Sequence, residues 1–450
     1  MAAEHHAHVE VNEQFEFTSG AKKSIFTIFG IGLVLFVIGV ISLAFFGGDH
    51  SHALIDGSTS VASANAEGAA SDAGHHGFSW TTRLFANFWI NNVFFTGLAL
   101  IGVFWVAIQY VASAGWSAIF KRVPESFGNF LPITFVLMLA TFVVANHDLF
   151  HWTHTYLYDK NSPEYDAIID GKKGFFYGPG VEEPGIPVFY YVRMVFFFSI
   201  WILFFRLLKR ESHVEDLKGG LSHYRKMVKI SGAFLVFFGV SSSISAWDWV
   251  MSIDTHWFST MFGWYVFASW WVSGIAAITL SVILLKEAGY LKAINENHLH
   301  DLGKFLFGFS VFWTYIWFAQ FLLIYYANIP EESVYFMERL QSDQYSKFIF
   351  INLFLNFFFP FLGLMTRDAK RKVTILKLVC YVVLVGHWLD FYLMITPGTL
   401  KENGGFGFLE IGLAMMYLAG FVYIAMSNLA KSKLIPVNHP MLQESIHHTT

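Results

Sequence analysis

The stretch Ser245–Thr260, SAWDWVMSIDTHWFST, places ionisable side chains where one long apolar segment ends and the next begins. Asp248 closes the first segment, and Asp254 and His256 lie in the short turn that follows. A carboxylate in an apolar environment is costly unless it is paired or solvated, which makes Asp248 a functional candidate. Its partners must come from other segments of the chain.

Other apolar segments also carry ionisable residues: His147, Asp148 and His151 at the end of the third, Arg193 in the fourth, and His387 and Asp390 in the ninth. His147 and His151 are four residues apart and therefore share a helical face. An unpaired guanidinium is costly in lipid, so we expect Arg193 to pair with one of the carboxylates. Ionisable groups drawn from several segments predict a protonatable pocket.

Histidine and carboxylate groups beside aromatic rings suit a redox-active quinone, because they accept a hydroxyl proton as electrons leave the ring. We expect three proton acceptors: His147, Asp148 and Asp248. A quinone pocket would be lined by Trp247, His151, Arg193 and Trp257. A proton path would use His387, Asp390 and Asp254. No residue spacing predicts a metal site.

Other interpretations of these residues stay open. The histidines and carboxylates, like many of the 15 tryptophans, would also suit an interfacial belt that reaches water. His147 or His151, together with His387, would suit two axial ligands of a haem b. Asn and Ser side chains in the second, fifth, sixth and eighth segments would suit a proton or ion conduit, although each also suits a hydrogen bond to a neighbouring backbone.

Composition assigns the chain to a class. Of the 450 residues, 55% are hydrophobic and 14% are charged, whereas soluble domains carry roughly 25% charged residues. The apolar residues come in blocks, which indicates a polytopic membrane protein. The single cysteine, Cys380, excludes an internal disulfide, and no motif for covalent haem or an iron–sulfur cluster occurs. Electrons handled by such a protein would need centres in partner subunits.

Ten apolar segments each approach the roughly 20 residues that a helix needs to cross the hydrocarbon core. We place them at about 25–46, 84–112, 131–152, 188–208, 228–253, 261–286, 304–327, 346–366, 374–396 and 409–430. Residues 24–430 therefore form a membrane domain, between polar tails at 1–23 and 431–450. The sequence predicts an all-α membrane protein with ten transmembrane helices.

Charge predicts the orientation of these helices. Most of the 29 Lys and Arg residues fall in segments that share a side with the N-terminus, which predicts that both termini are cytoplasmic. The Trp-Asp pair that ends the fifth segment has a counterpart at a similar depth in the ninth, Trp388-Leu-Asp390. This recurrence predicts two parallel four-helix bundles, about 84–253 and 261–396, with the first and tenth helices peripheral.

Residues 245–265, SAWDWVMSIDTHWFSTMFGWY, resemble the signature region of the NrfD-like, polysulfide-reductase-type membrane subunits of bacterial alternative complex III. Two further stretches resemble the same family. Residues 300–332 include HDLGKFLFGF, WTYIWFAQFL and YYANIPEE, and residues 386–390 are GHWLD. The resemblance covers essentially all ten segments. The length and the long polar loop after the first segment are more similar to the smaller of the two paralogous membrane subunits in such a complex than to the larger one.

The resemblance implies two four-helix bundles with two flanking helices, in a quinol:cytochrome c or other quinol:acceptor oxidoreductase of the bacterial inner membrane. The cofactor would be a quinone or quinol, with no haem or iron–sulfur cluster in this chain. Quinol would be oxidised near the outer face, with electrons passing to an iron–sulfur subunit. The implied partners are membrane lipid, the paralogous NrfD-like subunit, the iron–sulfur subunit, multihaem cytochrome c subunits and a terminal oxidase, with no nucleic acid.

A histidine on the third helix and a nearby carboxylate mark the pocket of this family. His147 or His151, with Asp148 or Asp248, are the residues that match this description. The alternative is a paralogue that conducts protons or scaffolds the complex without a quinol site of its own.

Overall fold

The computed structural model describes residues 13–46 and 79–449. In this part of the chain the fold is helical and has no strands, and ten helices are long and apolar enough to cross a membrane. In chain order they are α1 (Ser19–Phe46), α2 (Trp80–Val111), α3 (Leu131–Leu149), α4 (Val188–Lys218), α5 (Leu221–Trp249), α6 (Phe262–Glu287), α7 (Glu296–Ala327), α8 (Ser346–Gly363), α9 (Val373–Leu400) and α10 (Phe408–Leu429). The predicted all-α, multi-pass membrane fold is confirmed. Residues 1–12 of the predicted N-terminal tail lie outside the described residues.

The ten helices pack as two groups of four with one outlying pair. In bundle one, α2 packs against α3 and α5, and α4 packs against α3 and α5. In bundle two, α6 packs against α7 and α9, and α8 packs against α7 and α9. The bundles meet where α2 contacts α6 and α9, so α2 and α6 are the most deeply buried helices. The exposed apolar faces of the outer helices fit contact with lipid.

The outlying pair, α1 and α10, is held by a close contact between backbones. The helices run antiparallel, with Gly32 of α1 facing Gly412 of α10 and Gly39 facing Leu409. A Cβ atom at Gly412 would overlap the backbone of Phe36. Small residues permit such an approach, and this is how helices commonly associate in lipid.

The helices alternate in direction, so their ends gather on two sides. Side A holds the first residue of α2 and the last residues of α3, α5 and α9, and side B holds their opposite ends. The charge bias predicts that side A faces out of the cell, and the cytoplasmic location of the termini stays a prediction. Side A is crossed by residues 150–187 and by a short amphipathic helix, Pro330–Leu340, between α7 and α8.

Several helix ends differ from their predicted positions. On side B, α4 continues to Lys218 and α7 begins at Glu296, each well beyond the apolar segment. Polar residues extend a helix past the hydrocarbon core because they can be solvated there, and Asn295 caps α7 through its side chain. Pro360 lies inside α8. The helix contains a π turn at Phe354–Phe358, directly before the proline, a site where its missing N–H disturbs the helical ladder.

Candidate functional site

Two carboxylates lie buried on the last helices of the two bundles, each in the half of its helix that is nearer side A. Asp248 is near the end of α5, the last helix of bundle one, and Asp390 lies on α9, the last helix of bundle two. Their side chains are 2% and 0% exposed. Burial at this level requires partners for both carboxylates, and the two sets of partners differ.

Asp248 is held by an arginine from α4. Arg193 donates from Nε to Oδ2 at 2.9 Å and from Nη2 to Oδ1 at 2.7 Å. The guanidinium also lies 4.5 Å from the ring of Phe175 and 4.6 Å from that of Phe189. The expectation that Arg193 pairs with a buried carboxylate is confirmed. This bidentate pair balances the charge of Asp248 and occupies both of its oxygens.

Asp390 is held by neutral donors from three helices. Its Oδ1 accepts from Tyr265 Oη at 2.5 Å and from Asn352 Nδ2 at 2.9 Å. Its Oδ2 accepts from Ser269 Oγ at 2.6 Å and from Trp313 Nε1 at 2.9 Å. None of these four groups carries a charge. Among the described residues, the hydrogen bonds to Asp390 therefore stabilise its oxygens without a balancing cation. We call Asp390, these four donors and His387 the Asp390 cluster.

His387 lies one turn from Asp390 on the same helix and is fully buried. Its Nδ1 is 3.9 Å from Asp390 Oδ2, which is beyond hydrogen-bonding distance. Among the described residues neither ring nitrogen has a hydrogen-bond partner. The ring of Trp313 packs edge-on against the imidazole at 5.4 Å. His387 is thus a proton acceptor with unused capacity beside a buried carboxylate.

The π turn of α8 extends the Asp390 cluster toward side B. Asn356 donates from Nδ2 to Asn352 Oδ1 at 2.7 Å, so the two amides form a chain that ends on Asp390. Gly386 of α9 makes room, because a Cβ there would overlap Asn356 Oδ1. That oxygen is buried and has no partner among the described residues. Turns of this kind recur at functional sites because they re-aim side chains.

On its other side the Asp390 cluster borders a cleft, which we call the side-A cleft. It lies beneath the helix Pro330–Leu340, and its enclosed interior, about 20 Å³, has room for one or two water molecules. Arg339 of that helix donates to Asp254 Oδ2 at 2.8 Å and to the carbonyl oxygens of Leu393 and Met394 at 3.0 and 3.1 Å. Burial alone would lower the pKa of Arg339, but Tyr335 and Asp254 outweigh it and raise that pKa. Asp254 is therefore one half of an ion pair.

The residues that were predicted to form one pocket differ in burial and in their neighbours. His147 and Asp148 are exposed at the end of α3, where His147 lies 3.1 Å from Thr153 Oγ1 and packs its ring against His154. His151 is half-buried in the turn that follows, and its ring also packs against His154. These contacts place His147 at the end of α3 and His151 in the turn that follows it.

The predicted pocket aromatics are also separated. Trp247 is half-buried on α5, beside Asp248 in the sequence. Trp257 lines the side-A cleft in bundle two, where its ring stacks on Tyr335 at 3.9 Å. The residues that the structure does bring together are His387 with Asp390, Arg193 with Asp248, and Trp257 and Asp390 across one cleft.

Sequence reasoning missed three members of the site: Tyr265, Trp313 and Arg339. Tyr265 and Trp313 are common membrane-helix residues, and no spacing marks them as donors to Asp390. Arg339 carried a detectable signal, because a lone arginine inside an amphipathic helix, with carboxylates predicted on the same side, needs a partner.

Two further ionic clusters lie outside the predicted site. On side A, Arg83 donates to Glu410 at 2.8 and 2.9 Å, and Asn87 joins them. On side B, a network of buried charges ties the α2–α3 connection to the end of α4: Lys121, Arg122, Glu125, Glu215 and Asp216. Both clusters link neighbouring helices and satisfy most of their own charges, which fits a structural role.

Comparison with known proteins found no family model and no curated protein that matches this sequence.

Proposed function

We propose that this chain is a membrane subunit of a quinol:electron-acceptor oxidoreductase of the alternative complex III type, and that it contributes proton transfer at the Asp390 cluster. The resemblance of residues 245–265, 300–332 and 386–390 to that family supports the assignment to a complex. The observation that supports proton transfer is the arrangement around the buried Asp390. Four neutral donors bind this carboxylate, and the imidazole of His387, which has no hydrogen-bond partner among the described residues, lies 3.9 Å from it.

A buried carboxylate without a cation changes its charge more readily than one held in an ion pair. The four donors stabilise the anionic form of Asp390, and a proton that arrives on the carboxylate removes the cost of keeping that charge out of water. His387 can then receive the proton after a small shift of its ring, because its nitrogens have no competing bonds. Asp248 lacks this freedom, since a proton on Asp248 would leave the charge of its partner Arg193 without compensation.

The proton would come from a quinol bound at side A. Each hydroxyl of a quinol gives up one proton and one electron as the ring becomes a quinone. The electrons pass to the iron–sulfur subunit and then to the multihaem cytochromes, and the protons pass to Asp390 and His387. The chain itself supplies acid–base groups, which typically contribute about 10²–10⁴-fold to a rate.

Replacement of Asp390 tests this role. We expect Asp390→Asn to lower quinol:acceptor turnover of the assembled complex at least about 100-fold, with electron transfer and proton release measured together in vesicles. Asp343→Asn, an exposed carboxylate on the same side, is the matched control and should leave turnover unchanged. His387→Gln provides a second variant that breaks no hydrogen bond of the native fold. Full turnover in assembled complexes of both site variants would contradict proton transfer at the Asp390 cluster.

A further inference from the structure

The side-A cleft has the lining of a site for an aromatic ring that carries hydroxyl groups. Its walls are largely aromatic and include Trp257, Phe262 and Tyr335. Asp390 and Gln320 supply polar groups within the same lining. Ligand sites typically combine apolar walls with a few polar groups that fix the orientation of the ligand.

One polar group of the cleft has no use in the native fold. Trp257 is 4% exposed, and its indole Nε1 is buried without a hydrogen-bond partner among the described residues. A buried N–H without a partner costs about 1–3 kcal/mol, and among the described tryptophans with such an N–H, Trp257 is the one that lines this cleft. It is therefore able to donate to an acceptor on a ligand there. An oxygen on a quinol or quinone ring is such an acceptor.

The cleft lies between two helices whose outer faces are apolar. Trp317 of α7 and Ile349 of α8 line it. On the same helices, Leu323 and Phe350 are 67% and 66% exposed, as expected for side chains that face lipid. A hydrocarbon tail attached to a ring in the cleft can therefore leave between α7 and α8 without crossing a polar surface.

The cover of the cleft is a separate, short element. The narrow interior has room for about one or two water molecules, so a ring requires movement of the cover. Tyr335, on the helix Pro330–Leu340, places its own ring against Trp257 at 3.9 Å with an interplanar angle of 12°. Arg339 and its bonds to Asp254 and α9 hold this helix in place. A ligand ring would replace Tyr335 on the face of Trp257.

We propose that the side-A cleft of bundle two binds the ring of a quinol, with Trp257 and Asp390 contacting its oxygens and its tail leaving between α7 and α8. This inference rests on the proposed function and adds the location of the ring. Of the residues that sequence reasoning placed around the ring, it retains Trp257 and replaces those of bundle one with residues of bundle two.

Photolabelling of the purified complex with an azido-quinone that carries a decyl tail tests the location. We expect label on peptides that contain Trp257, Gln320 or Tyr335, removed by excess unlabelled quinol. Label only on residues 140–158 and 244–254, or only on other subunits, would overturn the proposal. Label that quinol does not displace would indicate an apolar surface and would overturn it as well.

A conservative variant separates binding from folding. Trp257→Phe keeps an aromatic ring but removes the indole N–H, and we expect KM for quinol to rise about fivefold, as for loss of one hydrogen bond, with labelling reduced in parallel. Trp264→Phe, an exposed tryptophan on α6, is the matched control.

If label is absent from the cleft while Asp390→Asn still blocks turnover, the ring site fails and proton transfer stands. If label is present in the cleft but Asp390→Asn keeps full turnover, the ring site stands and proton transfer at Asp390 fails.

Discussion

Asp248 and Asp390 show how two carboxylates on the last helices of the two bundles acquire different surroundings. Arg193 brings a full positive charge to Asp248, whereas Asp390 receives only neutral donors. A partner for Asp248 could be predicted from the sequence, because a charge in an apolar segment must be compensated. The donors to Asp390 could not, because Tyr265 and Trp313 reach it only through helix rotations that no sequence pattern records.

The Asp248–Arg193 pair should show strong coupling between its two residues. Arg193→Gln leaves a buried carboxylate uncompensated, and we expect it to cost about 3–5 kcal/mol of stability. Asp248→Asn in the same chain should restore much of that loss, because it removes the unpaired charge. Thermal unfolding of the purified protein in detergent provides the double-mutant cycle.

Arg210→Gln, at an exposed position on the same helix, is the control for that cycle and should change stability little. Losses that simply add in the double variant would contradict the pairing of Arg193 with Asp248.

At the scale of helices, the length and composition of the apolar runs predicted the number of spans but not the local geometry within them. The ten spans follow from apolar runs that match the thickness of a bilayer, and all ten are present among the described residues. The π turn at Phe354–Phe358 could not be predicted, because the sequence of α8 marks only the proline that follows it. Gly386 allows Asn356 to approach α9, and a single sequence does not distinguish such a glycine from the other 35.

The contact between α1 and α10 gives a prediction at this scale. We expect Gly412→Ala to lower stability by about 1–3 kcal/mol, because the added Cβ overlaps the backbone of Phe36. Gly420→Ala on the same helix meets only the ring of Phe130 at 4.0 Å, and should leave stability unchanged or raise it by up to about 1 kcal/mol. Thermal unfolding in detergent compares the two variants, and equal effects would rule out the close backbone contact.

In the whole molecule, the C-terminal segment joins the two bundles on side B. Ser445 bonds to Ile119 and Trp116 between α2 and α3, at 3.2 and 2.6 Å. Further along, His448 accepts from Asn295 and lies 2.7 Å from Asp301 in bundle two. The sequence predicted the bundles from the Trp-Asp recurrence but showed no sign of this connection, because residues 431–450 are polar and have no periodic pattern.

His439 makes this connection sensitive to pH. It is buried between Tyr110 and Tyr224, and its Nδ1 accepts from the backbone N–H of Met441 at 3.2 Å. Burial, together with the nearby charges of Lys121 and Arg122, lowers the pKa of His439 to about 3. An unfolded histidine has a pKa of about 6.5. Above that pH His439 is neutral in both states, and stability is at its full value. As the pH falls from 6.5 toward 3, the unfolded state gains a proton that the folded state does not, and stability is lost progressively.

Acidification should therefore destabilise the protein through His439 in particular. At pH 5 the loss is about 2 kcal/mol relative to neutral pH, since a pKa change of one unit corresponds to about 1.4 kcal/mol. His439→Asn keeps an acceptor for Met441 but cannot gain a proton, so its Tm should fall less than that of the natural protein between pH 7.5 and pH 5. His447→Asn, at an exposed position in the same segment, should keep the full pH dependence. An unchanged pH dependence in His439→Asn would show that acid acts elsewhere, and that the C-terminal segment does not control how the bundles respond to pH.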